Sequence, residues 1–287
     1  MAGTASTVRP FLLIQQAGPW GVDALQDSRI PTESSATLSA RCRDAGVRPL
    51  LIRRHARRKP VGVRVFAAYA DPHEPWLETT TLTHLSEVAE LDLVALGRGE
   101  SPRMTRRTEP VFLVCTHGRH DVCCAERGRP LARALNASHP EQTWECSHIG
   151  GDRFAGNLLM LPEGIYYGRA DADSGPRIAA GHLAGRLDLD HMRGRAGYGF
   201  VVQAAEWHLR RQLSLTGLSD VVLVGRSTRG DVTSATFDVV DRGRWLVRLR
   251  SDRGAPQLLT CRSPGPQQAL RTQLVSVSPA ADGAPSS

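Results

Sequence analysis

Cysteines and histidines are concentrated in one stretch of the sequence, residues 111–157. This stretch holds four of the six cysteines and four of the ten histidines of the chain. Most of them fall in two short segments, CTHGRHDVCC and ECSHIGGD, which a helix-like sequence separates. Thiols and imidazoles are ligands that soft metal ions prefer in proteins. The stretch therefore predicts a metal centre formed by two segments that the intervening helix brings together.

The length of 287 residues indicates two domains or one elaborated domain. No apolar run approaches the ~20 residues that a membrane span needs, and the N-terminus lacks the pattern of a secretory signal. Six cysteines in so long a chain, two of them adjacent, are typical of a reducing compartment. We therefore expect a soluble, cytoplasmic protein with no membrane partner, whose cysteines serve a metal or redox site.

The formal charge of +7 does not by itself predict a nucleic-acid partner, because the arginines are spread along the chain. Lys59 is the only lysine, so the arginine bias is typical of a coding preference. One dense run, RRHARRK at residues 53–59, has two interpretations. It is either a solvated strand end or a surface that docks an acidic redox partner, and we favour the solvated strand end.

The N-terminal third, residues 10–98, has the predicted order β, α, β, β, α. The predicted strands are FLLIQQ, PLLIRRH and VGVRVFAAYA. Helical spacing of apolar residues precedes Gly46 and recurs in THLSEVAELDLVALG. Cys42 falls in the first of these helices, where we expect it to be buried and without a chemical role. Residues 1–9 are predicted to be a polar tail.

A polar segment at residues 97–110 separates this third from a second unit, residues 110–192. The predicted strands of the second unit are VFLVCTHG, TWECSH, LLMLP and IYYGRA. Asp121 caps the predicted helix between the first two strands, and Gly175 with Pro176 begins a last helix. The order is again β, α, β, β, α, which is that of a thioredoxin-like half. An internal duplication is one interpretation, although no strong residue-level repeat supports it.

The C-terminal part, residues 196–277, is predicted to be an α+β extension. FVVQAAEWHLRRQL has the pattern of an amphipathic helix. The strands predicted after it are DVVLVGRS, TSATFDVVD, RWLVRLRSD and PQLLTCRS. We expect Cys261 to be a core residue of the last strand and SPAADGAPSS to be a disordered tail.

Helical periodicity distinguishes the two adjacent cysteines. Cys124 follows the same helix face as Gly128, Leu131 and Leu135, whereas Cys123 projects elsewhere. The first turn of a helix stabilises a thiolate through its free N–H groups and its dipole. Cys124 is therefore the candidate ligand of the pair.

The other candidate ligands lie at strand ends. Cys115 ends a strand, and the eight residues between it and the helical cysteine can form a loop around a metal centre. Cys146 and His148 are two residues apart, so both point to one side of an extended strand. The glycine pair at 150–151 lets the backbone pass close to a bound group and places Asp152 beyond the turn.

At these residues the sequence resembles the sucrase/ferredoxin-like family of thioredoxin-like ferredoxins. The family pattern has two cysteines with eight or more residues between them, followed by a His-x-Gly-Gly-His segment. Cys115 and Cys124 match the first pair, and His148 begins the second segment. The likeness covers roughly residues 10–190. It implies an α/β fold with a thioredoxin-like ferredoxin domain, a [2Fe-2S] cluster held by two cysteines and two histidines, and one-electron transfer.

The chain departs from the family pattern at Asp152, which replaces the second histidine. A carboxylate oxygen is a harder donor than cluster iron prefers, whereas Cys146 offers a thiolate close to His148. We therefore favour Cys146 as the fourth ligand, with Asp152 as the alternative. Imidazole in place of thiolate raises the reduction potential of a cluster. The histidines expected to be loop residues rather than ligands are His117, His120 and His139. For His117 and His120 the alternative is a role as hydrogen-bond donors or proton acceptors beside the cluster.

Three alternatives stay open. The adjacent Cys123 and Cys124 near a helix start suit thiol–disulfide exchange, although the usual Cys-x-x-Cys is missing. Cysteine and histidine also bind structural zinc, although the spacings lack the close pairs of common zinc modules. In the third alternative the fold persists without a cluster. Because the sequence has no dinucleotide or flavin motif, the favoured hypothesis is an electron carrier with a separate reductase and a separate acceptor protein.

Overall fold

The computed structural model describes residues 1–54, 61–259 and 265–280. The first half of its large sheet begins near the N-terminus. Its elements are β1 Pro10–Gln15, α1 Thr32–Asp44, β2 Arg48–Arg53, β3 Val63–Tyr69, β4 Trp76–Leu82, a 3₁₀ helix at Leu85–Glu90, α2 Leu93–Gly97 and β5 Thr105–Arg106. Strand β1 pairs in parallel with β2 and antiparallel with β3, and β4 and β5 extend the sheet.

The second half repeats this arrangement. Its elements are β6 Val111–Cys115, α3 Val122–Ser138, β7 Thr143–Cys146, a 3₁₀ helix at Asp152–Phe154, β8 Leu158–Leu161, β9 Ile165–Tyr167, α4 Ser174–Leu183 and β10 Met192–Arg195. Strand β6 pairs in parallel with β7 and antiparallel with β8, and β9 and β10 continue outward. The two halves therefore share one strand order, which supports the interpretation of an internal duplication.

The halves are joined through their second strands. Strands β2 and β7 pair antiparallel, with Ile52 opposite Cys146 and Arg53 opposite Glu145. The result is one ten-stranded sheet in the order β10-β9-β8-β6-β7-β2-β1-β3-β4-β5. Near-continuous apolar runs form the central strands because both faces of the sheet are covered. One core contains side chains of both halves, among them Phe11, Leu113 and Trp144.

Separate cores lie under the helices of each half. In the first half, Leu38 and Cys42 of α1 pack with strand residues such as Leu51. In the second half, Leu131 and Leu135 of α3 pack against strand residues in the same way. Cys42 is 1% exposed, as expected of a core residue.

The C-terminal extension has its own antiparallel sheet. Its elements are α5 Phe200–Leu213, β11 Val221–Arg229, β12 Val232–Val239, β13 Gly243–Gln257 and β14 Gln267–Pro279. The strands follow one another in the sheet in chain order, and Val202 and Leu209 of α5 pack with Phe237 and Val247. The mixed α/β class of the prediction is therefore confirmed. Cys261 lies outside the described residues.

The structure corrects several local predictions. Residues 1–9 are not a free polar tail, because Ala5 is fully buried and its N–H donates to the side chain of Gln203 at 3.0 Å. The segment read as one helix before Gly97 contains a 3₁₀ helix and a short α-helix. Sequence patterns also missed β4, β5, β10 and β14, and β14 ends at Pro279 inside the predicted tail.

The first two residues of the arginine run, Arg53 and Arg54, make contacts within the fold. Arg53 pairs with Glu145 at 2.7 Å and lies over the ring of Trp20, and Arg54 lies over the ring of Trp144. These two residues are half-buried, not solvated. The rest of the run lies outside the described residues. Within the described parts of the chain, no helix is long and apolar enough to cross a membrane.

Candidate metal centre

The candidate centre lies where β6 ends and α3 begins. All five residues of β6 are buried, and the strand ends at Cys115. The loop that follows ends at Asp121, whose side chain accepts a hydrogen bond from the Cys123 N–H at 2.9 Å. This N-cap, predicted from the sequence, starts the helix so that Cys124 falls in its first turn. Cys115 and Cys124 are each 1% exposed.

A glycine allows the helix to approach the strand. Gly128 is one turn beyond Cys124, and a Cβ atom there would lie 2.0 Å from the carbonyl oxygen of Cys115. Since no side chain separates them, the backbone of α3 rests on the end of β6. This close packing brings the two thiols together.

Three predicted ligands converge. One ligand atom each of Cys115, Cys124 and His148 lies within 4.8 Å of the others. The Nδ1 atom of His148 is 3.9 Å from the sulfur of Cys124. These donors come from a strand end, a helix start and the loop after β7, so the fold and not sequence proximity assembles them.

A second group shares His148. Ligand atoms of His120, His148 and Asp152 also lie within 4.8 Å of one another. The rings of His120 and His148 stack with centroids 3.9 Å apart. The Nε2 atom of His148 lies 3.1 Å from Oδ1 of Asp152, yet no described residue forms a hydrogen bond of good angle to this buried oxygen. A buried carboxylate oxygen without a hydrogen-bond donor is a group that a cation could satisfy.

Cys146 occupies a different position. It lies opposite Cys115 in the parallel register of β6 and β7 and is fully buried in the core that both halves share. Strand β7 ends at Cys146 and the chain bends at Ser147, so the two-residue alternation does not extend to His148. Within the described residues, Cys146 belongs to neither ligand group.

The thiols differ in their electrostatic surroundings. A hydrogen bond from Cys124 is the largest influence on Cys115 and holds its pKa well below the usual value. The same hydrogen bond, together with burial, raises the pKa of Cys124. Burial also raises the pKa of Cys146 well above the usual value. Among these three thiols, the surroundings of Cys115 favour the thiolate, which is the form that binds metal ions.

The first half of the chain holds the loop of the centre. His117 donates from Nε2 to the carbonyl of Gly21 at 2.8 Å, which leaves its Nδ1 to accept the backbone N–H of His148 at 3.3 Å. Burial lowers the pKa of His117, which favours this neutral tautomer. His120 makes a longer contact, 3.3 Å, with the carbonyl of Val22. Through these two contacts the first half of the chain fixes the position of the loop between Cys115 and Cys124.

An arginine from β10 supports the turn before Asp152. Arg193 is 2% exposed and donates to the Gly150 carbonyl at 2.9 Å and to the Asn157 side chain at 2.8 Å. Gly151 has φ 82°, and a Cβ atom there would lie 2.3 Å from the guanidinium of Arg193. The backbone at the glycine pair therefore passes close to another group, as predicted. That group is the side chain of Arg193 and not a bound ligand.

The family assignment rests on a match over the first two thirds of the chain. A family model described as Sucrase/ferredoxin-like matches residues 1–194. The chain belongs to the sucrase/ferredoxin-like family. This match spans both halves of the large sheet and the whole ligand region, and it confirms the resemblance found in the motif.

Among curated proteins, this sucrase/ferredoxin-like chain is similar to "Altered inheritance of mitochondria protein 32" of Meyerozyma guilliermondii. The two are 35% identical over 72 residues, which cover 22% of this chain and 26% of the relative. The chain thus spans about a quarter of the length of that relative. No solved structure matches the chain significantly.

For two residues, His120 and Arg193, the structure indicates a role in the site that the sequence did not predict. His120 was expected in a loop but contributes to the second ligand group, and its only sequence signal was its place between two cysteines. Arg193 had no signal, because it is 43 residues from Gly150 in the turn that it supports. His139, by contrast, lies at the far end of α3, where it contacts Ser138 and the ring of Phe112.

Proposed function

We propose that Cys115, Cys124 and His148 hold a [2Fe-2S] cluster and that the chain transfers single electrons through it. The observation that carries this proposal is the convergence of two buried thiols and one imidazole within 4.8 Å. Thiolate sulfur and imidazole nitrogen are the donors found in mixed-ligand clusters. The low pKa of Cys115 supports ligation, because a ligating cysteine must lose its proton.

The donor set predicts the electronic behaviour of the cluster. Replacing an anionic thiolate by neutral imidazole reduces the negative charge at the iron and raises the reduction potential. The cluster supplies the one-electron chemistry, while the protein supplies ligands, burial and access. We therefore propose an electron carrier with a potential above that of an all-cysteine ferredoxin, served by a separate reductase and a separate acceptor protein.

Three residues compete for the fourth position. The sequence favours Cys146 for its sulfur, with Asp152 as the alternative. The geometry adds His120, which shares a ligand group with Asp152 and His148. Single variants C146S, D152A and H120A separate these options, because only the loss of the true ligand changes the EPR spectrum of the reduced protein. D152H restores the family pattern and is expected to retain a cluster if position 152 supplies the fourth ligand.

The strand order supports the finer fold assignment. In the second half, the β-α-β unit β6-α3-β7 is followed by antiparallel strands β8 and β9 and by helix α4, in the sheet order β7-β6-β8-β9. We therefore propose a thioredoxin-like ferredoxin domain at residues 110–192. Residues 10–98 form a related thioredoxin-like segment, and residues 196–277 form the α+β extension.

The cluster proposal is tested on anaerobically purified protein. We expect iron and acid-labile sulfide in equal amounts, and an EPR signal after reduction. The neighbouring cysteines provide a matched pair of variants: C124S is expected to lose the cluster, whereas C123S retains it. Protein without iron and sulfide, or equal loss in both variants, would contradict the assignment.

Structural zinc is the second candidate, because the same distances suit a single ion. Zinc bonds of about 2.0–2.3 Å bring two ligand atoms of one tetrahedral site within about 4 Å of each other. Stoichiometric zinc without sulfide in a colourless protein would establish this alternative. Thiol–disulfide exchange has less support, because an exchanging thiolate must be accessible and Cys115 and Cys124 are each 1% exposed.

A further inference from the structure

A positively charged groove lies beside the candidate centre, between the loop after β6 and one side of α3. Its volume is about 620 Å³. The charged residues that line it are Arg53, Arg119, Arg129, Arg133 and Glu126. We name it the arginine groove.

Within the described residues, most of the positive charge in the arginine groove has no acidic partner. Arg53 is paired with Glu145. Arg119, Arg129 and Arg133 are exposed, and among the described residues none of these three has an ion-pair partner within 4 Å. Three free guanidinium groups against one glutamate create a positive potential that attracts an acidic surface.

Apolar side chains accompany these charges. Val122 is 58% exposed although it begins α3, and the exposed Pro19 and Pro130 also line the groove. An apolar patch with a charged rim is the usual composition of a protein interface. This composition fits an interface with a redox partner, and such interfaces are usually small and transient.

The arginine groove reaches the ligands through the backbone. Thr116 and His117, which directly follow Cys115, line the groove, and so does Ala125, which directly follows Cys124. A protein seated in the groove therefore lies one residue away from both thiols. The groove is therefore joined to both candidate ligands by a short covalent path.

We propose that the arginine groove docks an acidic electron-transfer protein that exchanges electrons with the centre. This inference rests on the proposed function, since the groove has this role only if a cluster is bound. A single-stranded nucleic acid fits less well, because its bases stack on exposed aromatic rings. The aromatic ring in the groove, Trp20, is 3% exposed and lies beneath Arg53.

The test uses a reduced plant-type ferredoxin as the acidic probe. One electron passes from its cluster to the oxidised cluster of this chain, and no bond is formed or broken. The transfer is favourable because an all-cysteine cluster has a lower potential than a histidine-ligated one. Stopped-flow absorbance gives the second-order rate constant at low and high ionic strength.

Two double variants change the total charge equally. R129E/R133E reverses charge in the arginine groove, whereas R229E/R248E reverses it on exposed positions of β11 and β13. We expect R129E/R133E to lower the rate constant roughly tenfold at low salt, and R229E/R248E less than twofold. Near 1 M salt the difference disappears, because charges are then screened over about 3 Å.

Iron and sulfide are measured in every sample before the kinetics. Equal rate constants for the two double variants, or a wild-type rate that salt does not change, would overturn the docking proposal while leaving the cluster intact. Binding of a fluorescent oligonucleotide that R129E/R133E abolishes would assign the groove to nucleic acid instead. Wild-type protein without iron and sulfide would overturn the proposed function and this inference with it. If R129E/R133E loses its cluster, R129Q/R133Q replaces it, with an expected threefold fall.

Discussion

Substituting one helical glycine tests how the centre is built. In Gly128→Ala the new methyl group would lie 2.0 Å from the carbonyl oxygen of Cys115, whereas ordinary contacts begin near 3.4 Å. Helix and strand must therefore separate by about 1.4 Å. Overpacking of this kind typically costs about 1–3 kcal/mol, which exceeds the gain of about 1 kcal/mol from placing alanine in a helix.

Gly181→Ala in α4 is the matched control. Its methyl group would have its nearest neighbour, the carbonyl oxygen of Arg186, at 3.6 Å, so only the helix-propensity gain is expected. Urea unfolding should therefore show G128A less stable than the wild type and G181A equally or more stable. Iron and sulfide per chain should fall in G128A alone, because Cys124 moves away from Cys115. A G128A protein as stable and as rich in iron as G181A would refute the close-packing argument.

Three further predictions follow from other contacts. Gly151→Ala should lower both the iron content and the free energy of unfolding, because its Cβ atom would lie 2.3 Å from Arg193. Gly150→Ala has a similar φ but open space around its Cβ atom, so urea unfolding should show a loss of only about 1 kcal/mol. His117→Phe should speed iron loss to a chelator severalfold, because the hydrogen bonds to Gly21 and His148 disappear, whereas His139→Phe should not. Burial raises the pKa of Cys42 to about 11 from 9.0, so the unfolded thiol ionises first and stability should fall by roughly 2 kcal/mol between pH 8 and 10.5. In C42A this fall should be smaller, as measured by urea unfolding at both pH values.

The strands and helices that carry the ligands were predictable because local signals agree there. Strand β6 is a run of five buried β-formers, and Asp121 is a strong N-cap that fixes where α3 begins. The position of Cys124 in the first helical turn follows from that cap. Short strands such as β5 and β10 were missed, because two to four residues on an edge carry too little periodicity.

The rest of the site depends on contacts distant in sequence. Arg193 supports the turn at Gly150 from another strand, and no local pattern reports such a partner. The bend at Ser147 could not be read from TWECSH either, because it follows from pairing with β2: the Ser147 N–H donates to the carbonyl of Leu51 at 2.8 Å. As a result, Cys146 stays in strand β7, whereas His148 lies in the loop that follows the bend.

The two halves share a strand order, but their equivalent positions have diverged. By strand register, Gln15 at the end of β1 corresponds to Cys115 at the end of β6. Gln15 accepts a hydrogen bond from the Arg64 N–H, so this position in the first half serves the backbone instead of a metal. The loop that follows it nevertheless reaches the centre, because Gly21 accepts the hydrogen bond from His117.

The loop after β1 and the loop after β6 therefore meet beside the candidate centre, where Gly21 of the first loop contacts His117 of the second. A first half that holds no candidate ligand needs another use to explain why it has the same strand order as the second half. Holding His117, and through it the backbone of His148, is such a use. The first half is then part of the candidate centre, and the proposed metal site depends on a loop that contains no candidate ligand.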